Sequence, residues 1–201
     1  MTKAQKGKLV IFSAPSGAGK TTIVHWLMKQ IPELAFSVSA TSRKKRPGET
    51  DGKDYHFLSV EDFKQKIRQN AFVEWEEVYE NQFYGTLISE VERLRKEGKH
   101  VVFDVDVKGG MNIKRLYGSD ALSVFVQPPS IEELERRLVS RNTDNEESIR
   151  KRVKKAGYEL QYAKHFDVVI INDNLEEAKQ KTLEVVTEFL GREPVVHKRW
   201  W

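Results

Sequence analysis

Leu9-Val10-Ile11-Phe12-Ser13-Ala14-Pro15-Ser16-Gly17-Ala18-Gly19-Lys20-Thr21 is the stretch that decides the fold. Its first four residues are apolar without interruption, the pattern of a short strand buried on both faces. Gly17 and Gly19 then break the strand and let backbone N–H groups turn inward with no Cβ in the way. From Thr21 to Ile31 the apolar residues Ile23, Val24, Leu27, Met28 and Ile31 share one helical face, and Pro32 ends the pattern. Strand, glycine-rich loop and helix N-terminus in that order form an anion site, because amides and the helix dipole converge on one spot. The phosphate-loop pattern asks for Gly, four residues, Gly, Lys, then Ser or Thr. Ala14 stands where the first Gly belongs, and Gly19, Lys20 and Thr21 fill the rest. In such a loop Lys20 reaches the β and γ phosphates of a nucleoside triphosphate, and the Thr21 hydroxyl binds Mg²⁺. Ala14 is a departure, since alanine is restricted at positive φ.

Outward from this loop the elements alternate. His100 to Val105 and Ala121 to Val126 read as further buried strands, the second stopped by Pro128-Pro129. Ser130 caps a predicted helix from Ile131 to Val139, with Glu133 placed for a capping box. A longer charged helix is predicted over Glu146 to His165, a strand over Asp167 to Ile171, and a helix over Leu175 to Leu190. Alternation of this kind predicts an α/β fold, a parallel sheet flanked by helices on both faces. The segment from Ala35 to Glu97 breaks the rhythm with short strand-like pieces and turn signals such as Arg46-Pro47-Gly48. It reads as an insertion over the carboxyl edge of the sheet, where ligands of open α/β folds sit.

The 201 residues suit about one domain. Hydrophobic residues at 39% and charged residues at 32% are ordinary for a soluble globular protein. Cysteine is absent, which excludes disulfides and thiolate metal sites and fits a cytoplasmic protein. No apolar run approaches the roughly eighteen residues of a membrane helix, so no membrane partner is expected. The net charge is +4, but 34 basic residues are interleaved with 30 acidic ones, which argues against a nucleic-acid footprint. His25, His56, His100, His165 and His197 show no metal-ligand spacing.

Ser37 to Phe57 matches S-x-S-x-T-x-R-x-x-R-x-G-E-x-[DN]-G-x-D-Y-x-F, and with that run the chain resembles the guanylate kinases. The likeness continues through Phe72-Val73-Glu74-Trp75, Phe83-Tyr84-Gly85-Thr86, Asp104-Val105-Asp106, Pro128-Pro129-Ser130, Arg141, Glu146-Glu147-Ser148-Ile149 and Ile171-Asn172-Asp173. It covers residues 8–190, and Ala is also found at the first loop position in this family.

The resemblance implies transfer of the γ-phosphate of ATP to GMP and to dGMP, with Mg²⁺, in purine nucleotide metabolism. It implies a P-loop NTPase core over residues 1–36, 98–130 and 158–191, a GMP-binding insertion over 37–97, a helical lid over 131–157 and a tail over 192–201. Ala14, Pro15, Ser16, Gly17, Ala18, Gly19, Lys20 and Thr21 would hold ATP, with Asn172, Pro128 and Pro129 on the adenine side. Arg43 and Arg46 would clamp the GMP phosphate as donor forks, joined by the hydroxyls of Tyr55 and Tyr84. Glu74 would accept from N1–H and N2 of guanine, a bidentate contact worth about 1–3 kcal/mol of base discrimination. Ser39 and Thr86 would donate to O6, with Gly85 beside them.

By the same resemblance Asp104 would hold Mg²⁺ through water, with Thr21 as the other metal residue, and Asp106 would contact guanine or ribose. Arg137, Arg141 and Arg152 would act with Lys20 and Arg43 on the moving phosphoryl group, where catalysis is mainly positioning and electrostatics. A catalytically lost, peptide-binding relative of these kinases and a ribose-bisphosphate kinase are the rival readings. Lys20, Thr21 and the lid arginines oppose the first, and the base-reading set of Glu74, Ser39 and Thr86 opposes the second. The sequence leaves a monomer and a homodimer equally open.

Overall fold

The structure, a computed structural model, describes residues 6–140 and 145–192. Its main sheet has five parallel strands in the order β2-β7-β1-β8-β9. These are β1 (Leu9–Ser13), β2 (Leu34–Phe36), β7 (His100–Asp104), β8 (Ala121–Gln127) and β9 (Val168–Ile171). Strand β1 is central and buried throughout. Its alternate side chains feed two cores, as the period of two requires. Val10 and Phe12 join Ile23, Leu27, Leu183 and Val186 of α1 (Lys20–Gln30) and α7 (Leu175–Leu190). Leu9 and Ile11 join Val91, Leu94 and Ile113 of α3 (Ile88–Lys96) and α4 (Val107–Tyr117) on the other face. Continuous apolar strands and a sheet covered on both faces are therefore the same fact.

A second sheet in the order β4-β3-β6-β5 comprises β3 (Ala40–Thr41), β4 (His56–Phe57), β5 (Phe72–Tyr79) and β6 (Gln82–Leu87). Helix α2 (Val60–Arg68) closes it, with the Phe63 ring stacked on Phe72 and Phe83 at 4.4 and 5.3 Å. Ser59 caps α2 by accepting from the Asp62 amide at 3.0 Å. Helix α3 lies within the segment read as inserted, yet its apolar face packs into the main-sheet core.

Helices α5 (Ile131–Ser140) and α6 (Glu146–Leu160) pack together through Leu134, Leu138, Ile149 and Ala156. Ser130 accepts from the Glu133 amide at 3.1 Å, but Glu133 turns its carboxylate to Arg136 and Arg137 at 2.5 and 2.8 Å. The predicted capping box is thus half formed, because two guanidiniums outcompete one amide for the carboxylate. The predicted helix to His165 ends earlier, at Leu160, and a short 3₁₀ turn over Ala163–His165 leads into β9. No helix among the described residues is long and apolar enough to cross a membrane.

Candidate active site

The loop between β1 and α1 opens at the carboxyl edge of the sheet. Gly17 and Gly19 have φ of 96° and 95°, where L side chains are strained. Ala14 is not among the positive-φ residues, so alanine at that position meets no backbone conflict. Gly19 is the N-cap of α1 and offers no side-chain acceptor to its first turn. The orphan amides there are left for an outside anion. A Cβ on Gly17 would stand 2.9 Å from Leu138 Cδ2, so α5 packs directly on the loop. Asn172 donates from Nδ2 to the Ala18 carbonyl at 2.7 Å, tying the loop to the end of β9.

This loop forms one wall of a cleft of about 420 Å³, lined also by Asp104, Val105, Asp106, Lys155 and Glu159. Lys20 is ion-paired to Asp104 and points toward the Val105 carbonyl at 3.4 Å. The parallel register places Phe12 opposite Asp104, so the end of β7 sits beside the loop by strand pairing alone. Asp106 caps α4, accepting from the Gly109 amide at 2.8 Å.

A second cleft of about 290 Å³ shares Asp104, Val105 and Asp106 with the first. Ser39, Glu74 and Thr86 face into it. Glu74 and Thr86 are cross-strand neighbours on β5 and β6, and the Thr86 hydroxyl donates to Glu74 Oε1 at 2.6 Å. Burial pushes the Glu74 carboxyl above the usual carboxylate range, against that hydrogen bond, and the charges of Asp106 and Glu76 push the same way. Gly85 lies on β6 opposite Trp75, where nothing larger fits: a Cβ would stand 2.8 Å from the Glu74 carbonyl.

Tyr84 is one rung from Thr86 on the same strand face, about 7 Å along the strand. Its ring meets that of Tyr55 edge-on at 6.0 Å. The Arg43 guanidinium lies 4.9 Å above the Tyr55 ring and is held by both oxygens of Glu49, at 2.7 and 2.5 Å. Glu49 Oε2 also accepts from the Arg46 amide at 2.8 Å. Arg43 draws the Glu49 carboxyl down to about 2. The Arg46 side chain is exposed beside this pair.

Arg152 reaches from α6 to within 3.4 Å of the Ser16 hydroxyl. Arg137 faces another recess, formed with Gly17, Gly19, Thr22, Asn172 and Asp173. There it donates to the Asn172 carbonyl at 3.0 Å. The structure thus sets Arg137 apart from Lys20, on the far side of the loop. Arg141 and the tail tryptophans Trp200 and Trp201 lie outside the described residues.

Sequence reasoning passed over several residues in and around these clefts. Ser37 Oγ is buried without a partner and lines the second cleft. Glu49 was quoted within the family pattern but given no task; its bidentate pairing is what orders Arg43. Lys155 and Glu159 line the first cleft from the longer charged helix.

A parallel α/β sheet whose phosphate loop shares an acidic wall with a second polar cleft defines a P-loop phosphotransferase with two substrate sites. Residues 6–189 match the family model described as "Guanylate kinase". The chain is 56% identical over 191 residues to a guanylate kinase of Bacteroides thetaiotaomicron, covering 95% of this chain and 94% of that one. It is 50% identical over 183 residues to that of Salinibacter ruber, covering 91% and 97%. The crystal structure of guanylate kinase from Anaplasma phagocytophilum superposes with a TM-score of 0.66 at 28% identity, over 92% of this chain and 87% of that one. The chain belongs to the guanylate kinase family.

Proposed function

We infer that this chain is an ATP:GMP phosphotransferase whose first cleft takes ATP and whose second takes GMP, with dGMP an alternative acceptor. The observation that carries the reading is the shared wall of Asp104 to Asp106, which lets two nucleotides meet end to end. Residues 37–97 then act as the acceptor-binding part, residues 131–157 as the lid and the remaining sheet as the core. Glu74, with Ser39 and Thr86, reads the guanine edge, and Gly85 permits the close strand pairing that sets their spacing. Tyr84, two residues along β6 from Thr86, and Tyr55, Arg43 and Arg46 from the connection between β3 and β4 receive the GMP phosphate. Asp106 borders both nucleotides.

In the donor cleft, loop amides from Ala14 to Thr21 and the Lys20 ammonium bind the triphosphate. Lys20 leaves Asp104 for the phosphates, exchanging one anion for another. Thr21 and Asp104 both line this cleft, and no group of three acidic or histidine ligands forms among the described residues. That suits Mg²⁺, which keeps several waters and takes one or two protein oxygens plus phosphate. Held by Thr21 and, through water, by Asp104, the ion would offset negative charge on the donor phosphates. Arg152, beside the loop, and Arg141 on the lid supply further positive charge to the moving phosphoryl group, joined by Arg137 once it leaves the Asn172 carbonyl, and lid closure excludes water as a competing acceptor. Asn172 holds the loop in register at the adenine side. We place the enzyme in the cytoplasm, where both nucleotides are made and used.

Calorimetry tests the two-site reading. GMP and a non-hydrolysable ATP analogue with Mg²⁺ are each expected to bind, and each in the presence of the other. Binding of GMP with no affinity for the ATP analogue would mark a binding module instead.

A further inference from the structure

Helix α6 turns one charged face to the phosphate loop. Arg152, Lys155 and Glu159 follow at intervals of three and four residues, which stacks them on one side of a helix. Arg152 marks where that face points, 3.4 Å from the Ser16 hydroxyl. Lys155 and Glu159 complete the same wall of the donor cleft, opposite Lys20 and Thr21.

Glu159 is only 5% exposed. A carboxylate so buried is stable only with compensation. Lys155 Nζ stands 3.7 Å from its Oε1, one helical turn back. The Lys155 side chain is itself 68% exposed, so its ammonium is open to the cleft while Glu159 restrains it from below. The cleft also takes a further cation: Asp104, Asp106 and Glu159 line it, and once Lys20 leaves Asp104 for the phosphates the Asp104 charge faces the nucleotide uncompensated. A triphosphate entering there meets three carboxylates, and a mobile ammonium on a flexible stem offsets that repulsion as a point charge.

We propose that Lys155 is a further contact for the phosphates of the donor nucleotide, and that Glu159 is the positioning residue that aims it. The inference rests on the assignment of this cleft to ATP.

The test is calorimetry on the full chain, with the β,γ-imido analogue of ATP plus Mg²⁺ and, separately, with GMP. Failure of the unaltered chain to bind the analogue would remove the donor-cleft assignment itself. With binding established, Lys155→Met is expected to weaken the analogue on the order of fivefold, the upper end of what an exposed ion pair contributes. GMP affinity stays unchanged and Lys155→Arg restores most of the loss, while any fall in melting temperature in Lys155→Met reports the lost partner of Glu159. Unchanged analogue affinity in Lys155→Met, or an equal fall in GMP affinity, overturns the role of Lys155. For Glu159 the readout is coupling. In a Glu159→Gln background the loss on Lys155→Met shrinks to roughly twofold or less, because an unaimed lysine contributes less. The same fivefold loss in that background overturns the positioning role. Should Glu159→Gln lower the melting temperature, Glu159→Asp, which keeps the charge and shortens its reach, takes its place with the same two outcomes.

Discussion

Glu74 is a half-buried carboxylate, and its environment sets a sign for the proposed contact with guanine. Burial favours the protonated form, whereas the guanine edge needs the ionised one. The Michaelis constant for GMP should therefore rise as pH falls, starting above the range of an ordinary glutamate, while that for ATP stays flat. Glu74→Gln removes this dependence and weakens GMP by roughly tenfold to a hundredfold, the worth of a bidentate base contact. Its amide carbonyl can still accept from Thr86. Because the folded-state pKa of Glu74 is raised, its ionisation opposes folding at neutral pH. The variant should melt higher at pH 7, and the gain should fade as pH falls through the raised folded-state pKa and be gone below the unfolded value. Equal GMP affinity in variant and parent would remove Glu74 from base recognition. Lys20→Ala should lower turnover on the order of a hundredfold or more while the fold persists, because Asp104 is 30% exposed and water can replace its partner. Steady-state kinetics beside a melting curve separates those effects.

Among the elements, the loop from β1 to α1 was the most legible. Its function depends on backbone geometry, and glycine, lysine and threonine report that geometry directly. Gly19 shows how tightly it is built: a Cβ there would stand 2.3 Å from Asn172 Nδ2, on top of a φ of 95°. Gly52 has a φ of 74° with nothing within 4 Å. Gly52→Ala should cost only backbone strain, about 1–3 kcal/mol. Gly19→Ala should cost more in melting temperature and also abolish binding of the ATP analogue, since Asn172 must leave the loop. Comparable effects of the two substitutions would contradict the tie between β9 and the loop. Less was legible where tertiary partners decide. The end of α6 at Leu160 carries no proline or glycine signal. The Glu133 carboxylate went to two arginines rather than to the helix cap. Glu49 and Glu159 look like any surface glutamate until the fold sets Arg43 and Lys155 beside them.

Over the whole molecule, the alternation of buried strands and helices foretold the parallel sheet, because continuous apolar runs need cover on both faces. The strand order was not foretold, and it matters most. It seats β7 beside β1, which brings Asp104 against Lys20 and joins the two clefts across three residues. The second sheet carries Glu74, Thr86 and Tyr84 on one strand pair, with the Glu74–Thr86 and Glu76–Tyr84 rungs separated by the Trp75–Gly85 rung. Donor phosphates and acceptor phosphate can so be brought together while the base that decides identity sits apart from the chemistry. Coupled-assay turnover with ATP and Mg²⁺, comparing GMP, AMP, CMP and UMP at equal concentration, reads that division of labour. Rapid phosphorylation of GMP with the other three near background is the expected result. Turnover of AMP or a pyrimidine nucleotide at a rate matching GMP would contradict it.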